Sequence, residues 1–125
     1  HLKELTLYLG SDRITAEGMR SFGNMLSGLK GLEILHFDVY YCGKFSEEVI
    51  SEVLRNLENA RNLTRLKLRF RGDKLGKLFS DTLEGITEKM KSLVYLSFRM
   101  EGFKVQGIYL LDLVRKLKKS IIVEL

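Results

Sequence analysis

Histidine, cysteine and paired acids are the side chains that would carry catalysis or hold a metal, and this chain has few of them. Its two histidines are His1 and His36, and its one cysteine is Cys42. His36 sits alone, with no sequence neighbour suited to metal binding, and two histidines are poor ground for a zinc site. The adjacent acids Glu47 and Glu48 read as the start of a helix, where the dipole favours negative charge, and not as an acid–base pair. The glycines from Gly72 to Gly76 lack the spacing of a phosphate-binding loop. A single cysteine excludes an internal disulfide framework and a cysteine-rich metal site, and it fits a reducing compartment. No catalytic residue, cofactor or metal is therefore expected. The chemistry the residues do offer is non-covalent. Arg65, Lys67, Arg69 and Arg71 alternate with Leu66, Leu68 and Phe70, which places four cations on one face of a strand.

That strand is one copy of a repeat. The pattern L-x-x-L-x-L begins at Leu2, Leu32, Leu63 and Leu93, with spacings of 30, 31 and 30 residues. A degenerate copy, Ser120 to Leu125, follows 27 residues later. The alternation continues through Leu9, Val39, Phe70 and Met100, and period two is a strand signal. The second half of each unit changes to helical spacing: Met19, Phe22 and Leu26; Val49, Val53 and Leu57; Phe79, Leu83, Ile86 and Met90; Ile108, Leu111, Val114 and Leu117. Thr15, Ser46 and Gly76 each stand 17 residues before the next leading leucine, and all three types serve as helix N-caps. Phe22, Met25 and Phe79 are expected in the core. Each unit is then strand, turn, helix, turn. Stacked units share a core that one unit cannot bury alone.

The expected architecture is α/β: a curved parallel sheet on the concave side of a solenoid, with helices on the convex side. The units run 2–31, 32–62, 63–92 and 93–119, with a partial copy at 120–125, in one domain over 1–125. Both ends fall inside periodic sequence. The expectation is a segment of a longer array, with flanking repeats or a partner covering at least one end.

The pattern resembles the ribonuclease-inhibitor-like class of leucine-rich repeats, whose units have about this length and a full helix. Leu5-x-Leu7-x-Leu9-x-x-Asp12-x-Ile14-x-x-Glu17-Gly18 is similar to the intracellular arrays of single-celled eukaryotes such as ciliates. The resemblance covers essentially the whole chain and implies an intracellular binding module. The family places asparagine or cysteine three residues after the last strand leucine, tying neighbouring turns together. Here the equivalents are Asp12, Cys42, Asp73 and Phe103, so only Cys42 fits, and as a structural residue.

Alternation writes out the concave face. It carries Glu4, Thr6, Tyr8 and Gly10; Ile34, His36, Asp38 and Tyr40; Arg65, Lys67, Arg69 and Arg71; Tyr95, Ser97, Arg99 and Glu101; and Ile122 and Glu124. Strands roughly 4.8 Å apart align these in rows. Asp38 can neutralise Arg69 and Glu101 can neutralise Arg71, which leaves Arg65, Lys67 and Arg99 without an acid beside them. Arginine and tyrosine are enriched at interface hot spots. The expected partner-binding residues are Tyr8, His36, Tyr40, Arg65, Lys67, Arg69, Arg71, Tyr95 and Arg99. A second basic cluster, Arg115 to Lys119, reads as a solvated helix end.

Charge gives the partner class. The net charge of +5 favours acidic partners. No apolar run approaches the roughly 20 residues of a membrane span. Asn62-Leu63-Thr64 matches a glycosylation acceptor, but Leu63 falls at a buried strand position, so the site is expected to be unmodified. The reading is a non-catalytic protein–protein interaction scaffold whose partner presents an acidic surface. Two alternatives stand beside it. One is nucleic-acid binding along the basic stripe, with Tyr8, Tyr40 and Tyr95 to stack on bases, although Asp38 and Glu101 interrupt that stripe. The other is a regulatory or substrate-receptor part of a larger enzyme complex.

Overall fold

Strands form where period-two alternation recurs, and helices form where the apolar spacing lengthens to three and four. The computed structural model describes residues 2–9, 14–39, 46–71, 76–101, 115 and 122–124. Along them run β1 (Glu4–Leu9), α1 (Ala16–Ser27), β2 (Ile34–Val39), α2 (Glu47–Arg55), a 3-10 turn (Asn56–Asn59), β3 (Arg65–Arg71), α3 (Lys77–Lys89), β4 (Tyr95–Glu101) and β5 (Ile122–Glu124). The strands make one five-stranded parallel sheet in the order β1-β2-β3-β4-β5. Glu4 lies beside Ile34, Ile34 beside Arg65, Arg65 beside Tyr95, and Tyr95 beside Ile122. The register is the one the leucine spacing requires. The helix expected from Ile108 to Leu117 lies outside the described residues, apart from Arg115, which is helical and exposed.

One face of the sheet and the inner stripes of the helices form the core. Leu35, Phe37, Val39, Leu66 and Phe70 are all fully buried. Phenylalanine rings link the layers in a chain: Phe22 to Phe37 at 5.1 Å, Phe37 to Phe70 at 6.0 Å, and Phe70 to Phe79 at 5.3 Å between centroids. The last two are edge-on, an arrangement that matches the ring quadrupoles. Leu5, Leu7 and Leu9 of β1 are only partly buried, because no described strand flanks them on the outer side. A cavity of about 330 Å³ opens there, lined by Leu9, Ile14, Thr15, Gly18, Met19 and Phe22.

One core expectation is corrected. Met25 is 47% exposed. Gly23 faces α2, and Met25 lies about 200° further around the same helix, on the flank α2 does not cover.

Backbone and side-chain bonds tie the units at the turns that lead into the strands. The carbonyl of Lys3 accepts from the amides of Glu33 and Ile34, that of Glu33 from Thr64 and Arg65, and that of Thr64 from Val94 and Tyr95. Asn62 donates its amide to the Lys30 carbonyl at 3.0 Å, and the Ser92 hydroxyl donates to the Arg61 carbonyl at 2.7 Å. The turn residues Asp12, Cys42, Asp73 and Phe103, where the resemblance places its ties, lie outside the described residues.

Caps and close contacts set the helix layer. Thr15 Oγ1 accepts from the Gly18 amide at 3.0 Å, and Ser46 Oγ from the Val49 amide at 3.3 Å, as N-caps do. Gly76 has no side chain to offer α3. Glu47, in the first turn of α2, supplies it instead: its Oε1 accepts from the Gly76 and Phe79 amides, both at 2.8 Å. A carboxylate taking two orphan amides is a charge-assisted cap supplied by the neighbouring unit. Between α1 and α2, a Cβ on Gly23 would lie 3.1 Å from Val53 Cα and 2.8 Å from Asn56 Nδ2. Gly85 in α3 has no such neighbour within 4 Å.

The two glycines make opposite predictions for the same substitution. Gly85→Ala is expected to stabilise the protein by about 0.5–1 kcal/mol, the helix preference of alanine over glycine. Gly23→Ala is expected to destabilise by about 1–3 kcal/mol, because the added methyl forces the α1 and α2 backbones apart. Urea melts measure both, and a shared sign would contradict the packing described. Glu47→Ala should cost about 1–2 kcal/mol through the lost cap. Amide exchange should locate that loss at the start of α3, and Glu47→Gln, which keeps an acceptor oxygen, should recover part of it.

Candidate functional site

Alternation along β3 sends Leu66, Leu68 and Phe70 into the core and turns Arg65, Lys67 and Arg69 to the opposite face. The neighbouring strands decide what each cation meets. Tyr95 is beside Arg65 in register; His36 and Ser97 flank Lys67; Asp38 and Arg99 flank Arg69. Tyr8 is beside Asp38 on the far side of β2.

Two of these cations share one ring. The guanidinium carbon of Arg65 is 4.5 Å from the centroid of Tyr95, and Lys67 Nζ is 5.8 Å from the same centroid. Both distances fall within cation–π range. Neither cation has an ion pair among the described residues, whereas Lys3, Arg20, Arg69, Lys77 and Lys89 each have one. On the other side of the row, Tyr8 is 65% exposed. Its ring meets that of His36 edge-on, at 5.5 Å and 71°.

Asp38 departs from the sequence expectation. Alternation and register place it on the solvent face beside Arg69, but its side chain is only 2% exposed. It is a buried carboxylate, not one member of an exposed pair. Arg69 is itself three-quarters buried, and its Nη1 stands 3.7 Å from Asp38 Oδ2. Asp38 Oδ1 has no hydrogen-bond partner among the described residues. Burial raises the weight of this contact, because two charges withdrawn from water must compensate each other. Arg69 is therefore a member of the protein's own charge pair before it is a contact for anything else.

The remaining expected residues divide as follows. Arg71 stands beside Glu101, and Arg99 beside Arg69, in the strand register. The side chains of Arg71 and Arg99 lie outside the described residues, as does all of Tyr40. Tyr8, His36, Arg65, Lys67, Arg69 and Tyr95 come together on one face. A feature that sequence reasoning missed lies elsewhere, at the turns before β2 and β3. There Ser27, Lys30, Asn59, Arg61 and Asn62 line a recess of about 530 Å³. Lys30 and Arg61 hold equivalent places in successive units, and that recurrence was the available signal.

Among the described residues, no three histidine, cysteine or acidic side chains are grouped so as to hold a metal ion. Within the same residues, no helix is long and apolar enough to cross a membrane. Compared with protein-family models, curated proteins and solved structures, the chain matches none.

The Asp38–Arg69 pair makes an asymmetric prediction. Arg69→Met should cost about 3 kcal/mol, because it strands a buried carboxylate. Asp38→Leu should cost less, since the longer arginine can carry its charge out to water. The double substitution Asp38→Leu, Arg69→Met should lie within about 1 kcal/mol of the unsubstituted protein. Strictly additive costs in urea melts would mean that the two residues do not interact.

Proposed function

We propose that this chain is part of a leucine-rich-repeat solenoid of the ribonuclease-inhibitor-like class, and that it works as a non-catalytic docking surface for an acidic protein partner. The parallel sheet in 30- or 31-residue register, with phenylalanines of α1 and α3 on its buried face, supports the architectural half. In such a solenoid the strands line the concave side and the helices the convex one. The observation that carries the functional half is the pair Arg65 and Lys67, drawn to one tyrosine ring with no ion-pair partner among the described residues.

Physical reasons favour this spot over the cations that the described residues show already paired. Arg20, Lys77 and Lys89 are engaged with acids on the helix layer. Arg69 is committed to Asp38. An acidic partner that meets Arg65 and Lys67 displaces no salt bridge among the described residues. Tyr95 beneath them and Tyr8 beyond His36 add aromatic surface of the kind that anchors interfaces.

A fluorescent polyglutamate peptide is the probe. Its affinity should fall at least about tenfold with Arg65→Glu, Lys67→Glu, since two attractions become repulsions. The melting curve should barely move, because both side chains point away from the core. Association should slow as salt is added. Lys91→Glu, at an exposed turn, is a control of the same sign with half the charge change. A loss at Lys91 as large as at the β3 pair would mean that the peptide reads net charge alone.

A further inference from the structure

We infer that the acidic group this face takes is a single phosphoryl group on a protein segment, held between Arg65 and Lys67 above the ring of Tyr95. This rests on the docking reading above and narrows its ligand.

The charge arrangement asks for a dianion. Arg65 and Lys67 are two residues apart on one face of β3, roughly 7 Å between their Cα atoms. Both lean to the same ring, at 4.5 and 5.8 Å from its centroid. Their mutual repulsion is met by no carboxylate among the described residues. A phosphoryl group brings about −1.5 to −2 charge at neutral pH and three acceptor oxygens. It can accept from both cations at once. A carboxylate can reach both cations through its two oxygens, but its single charge leaves one positive charge uncompensated.

The neighbouring residues add suitable donors. In register, Lys67 stands between His36 and Ser97, which offer a ring N–H and a hydroxyl. The cation–π contact limits the movement of Arg65 without consuming its N–H donors, so the guanidinium fork stays available for bidentate bonding.

The same rows argue for one phosphoryl group rather than a phosphate track. Along the strands, the next row is closed by the Asp38–Arg69 pair. Toward the strand starts, Lys3 is bound to Glu33 at 3.4 Å. Among the described side chains of this face, uncompensated positive charge is thus confined to two residues of one strand. A nucleic-acid backbone carries a charge at every nucleotide and gains affinity from each one neutralised. Laid along β3 toward its end, it would bring its next phosphate to the row that holds buried Asp38.

Three small probes test this: N-acetyl-phosphoserine methylamide, N-acetyl-glutamate methylamide and a series of oligouridylates. Binding is followed by the side-chain NMR signals of arginine Nε–H and lysine. The phosphoserine compound should shift Arg65 and Lys67 and saturate at a concentration at least about tenfold below that of the glutamate compound. Arg65→Gln and Lys67→Gln, each checked for an unchanged backbone spectrum, should each remove most of that advantage. Equal affinity for the two amino-acid compounds at Arg65 and Lys67 would overturn the phosphoryl assignment and leave the docking reading standing. Shifts centred on Lys30, Arg61 or Lys91 would overturn the assignment of the site. Affinity for oligouridylate that climbs with length and exceeds that of phosphoserine would overturn it in favour of nucleic acid. No response to any of these probes, together with no polyglutamate binding, would defeat both readings.

Discussion

Parallel, in-register pairing of strands 30 or 31 residues apart brings like positions side by side. On the inner face this sets leucine on leucine in one row and mixes leucine, phenylalanine, valine and methionine in the next two. Burial then accumulates across units that could not be stable singly. On the outer face the same constraint fixes each residue's lateral neighbours. Arg65 meets Tyr95 and Lys67 meets Ser97 because the strands cannot slip by one residue without turning leucines out to solvent. The chemistry of the exposed face is thus a consequence of how the core is satisfied.

That face carries cations in two different situations. Arg69 lies against a carboxylate that water does not reach, so its charge is internal to the fold. Arg65 and Lys67 lie over a ring, which attracts cations but does not neutralise them. A cation held by a quadrupole keeps its field and its hydrogen-bond donors for a ligand. The residue types of the three are similar, and the neighbouring strand decides their roles.

The helix layer shows the same dependence on the adjacent unit. Thr15 and Ser46 cap their own helices, and α3 is capped by Glu47 from the helix before it. Gly23 is needed where α1 runs against Val53, while Gly85 faces open space. Coupling between units therefore runs through a carboxylate and a close backbone approach as well as through apolar contact. The turns add the Asn62 and Ser92 bonds to the preceding unit.

The α/β order of elements, the parallel register, the N-cap positions and the direction of the described side chains of β1, β2 and β3 were legible in the sequence. They follow from periodicity, and periodicity is a local property of the chain. The lateral rows followed too, since equal spacing and parallel pairing leave one alignment. What periodicity could not supply is how deep a residue lies once its neighbours surround it. Alternation put Asp38 on the outer face correctly, and the surroundings buried it there. Helical spacing made Met25 look like core, and the position of α2 left it exposed. Glu47 read as an aid to its own helix dipole, and only the placement of α3 turned it into that helix's cap. Sequence by itself determined which way the side chains point. Tertiary structure decided which of them water still reaches, because solvent exclusion depends on residues from other units packed around a side chain, and no single unit contains those residues.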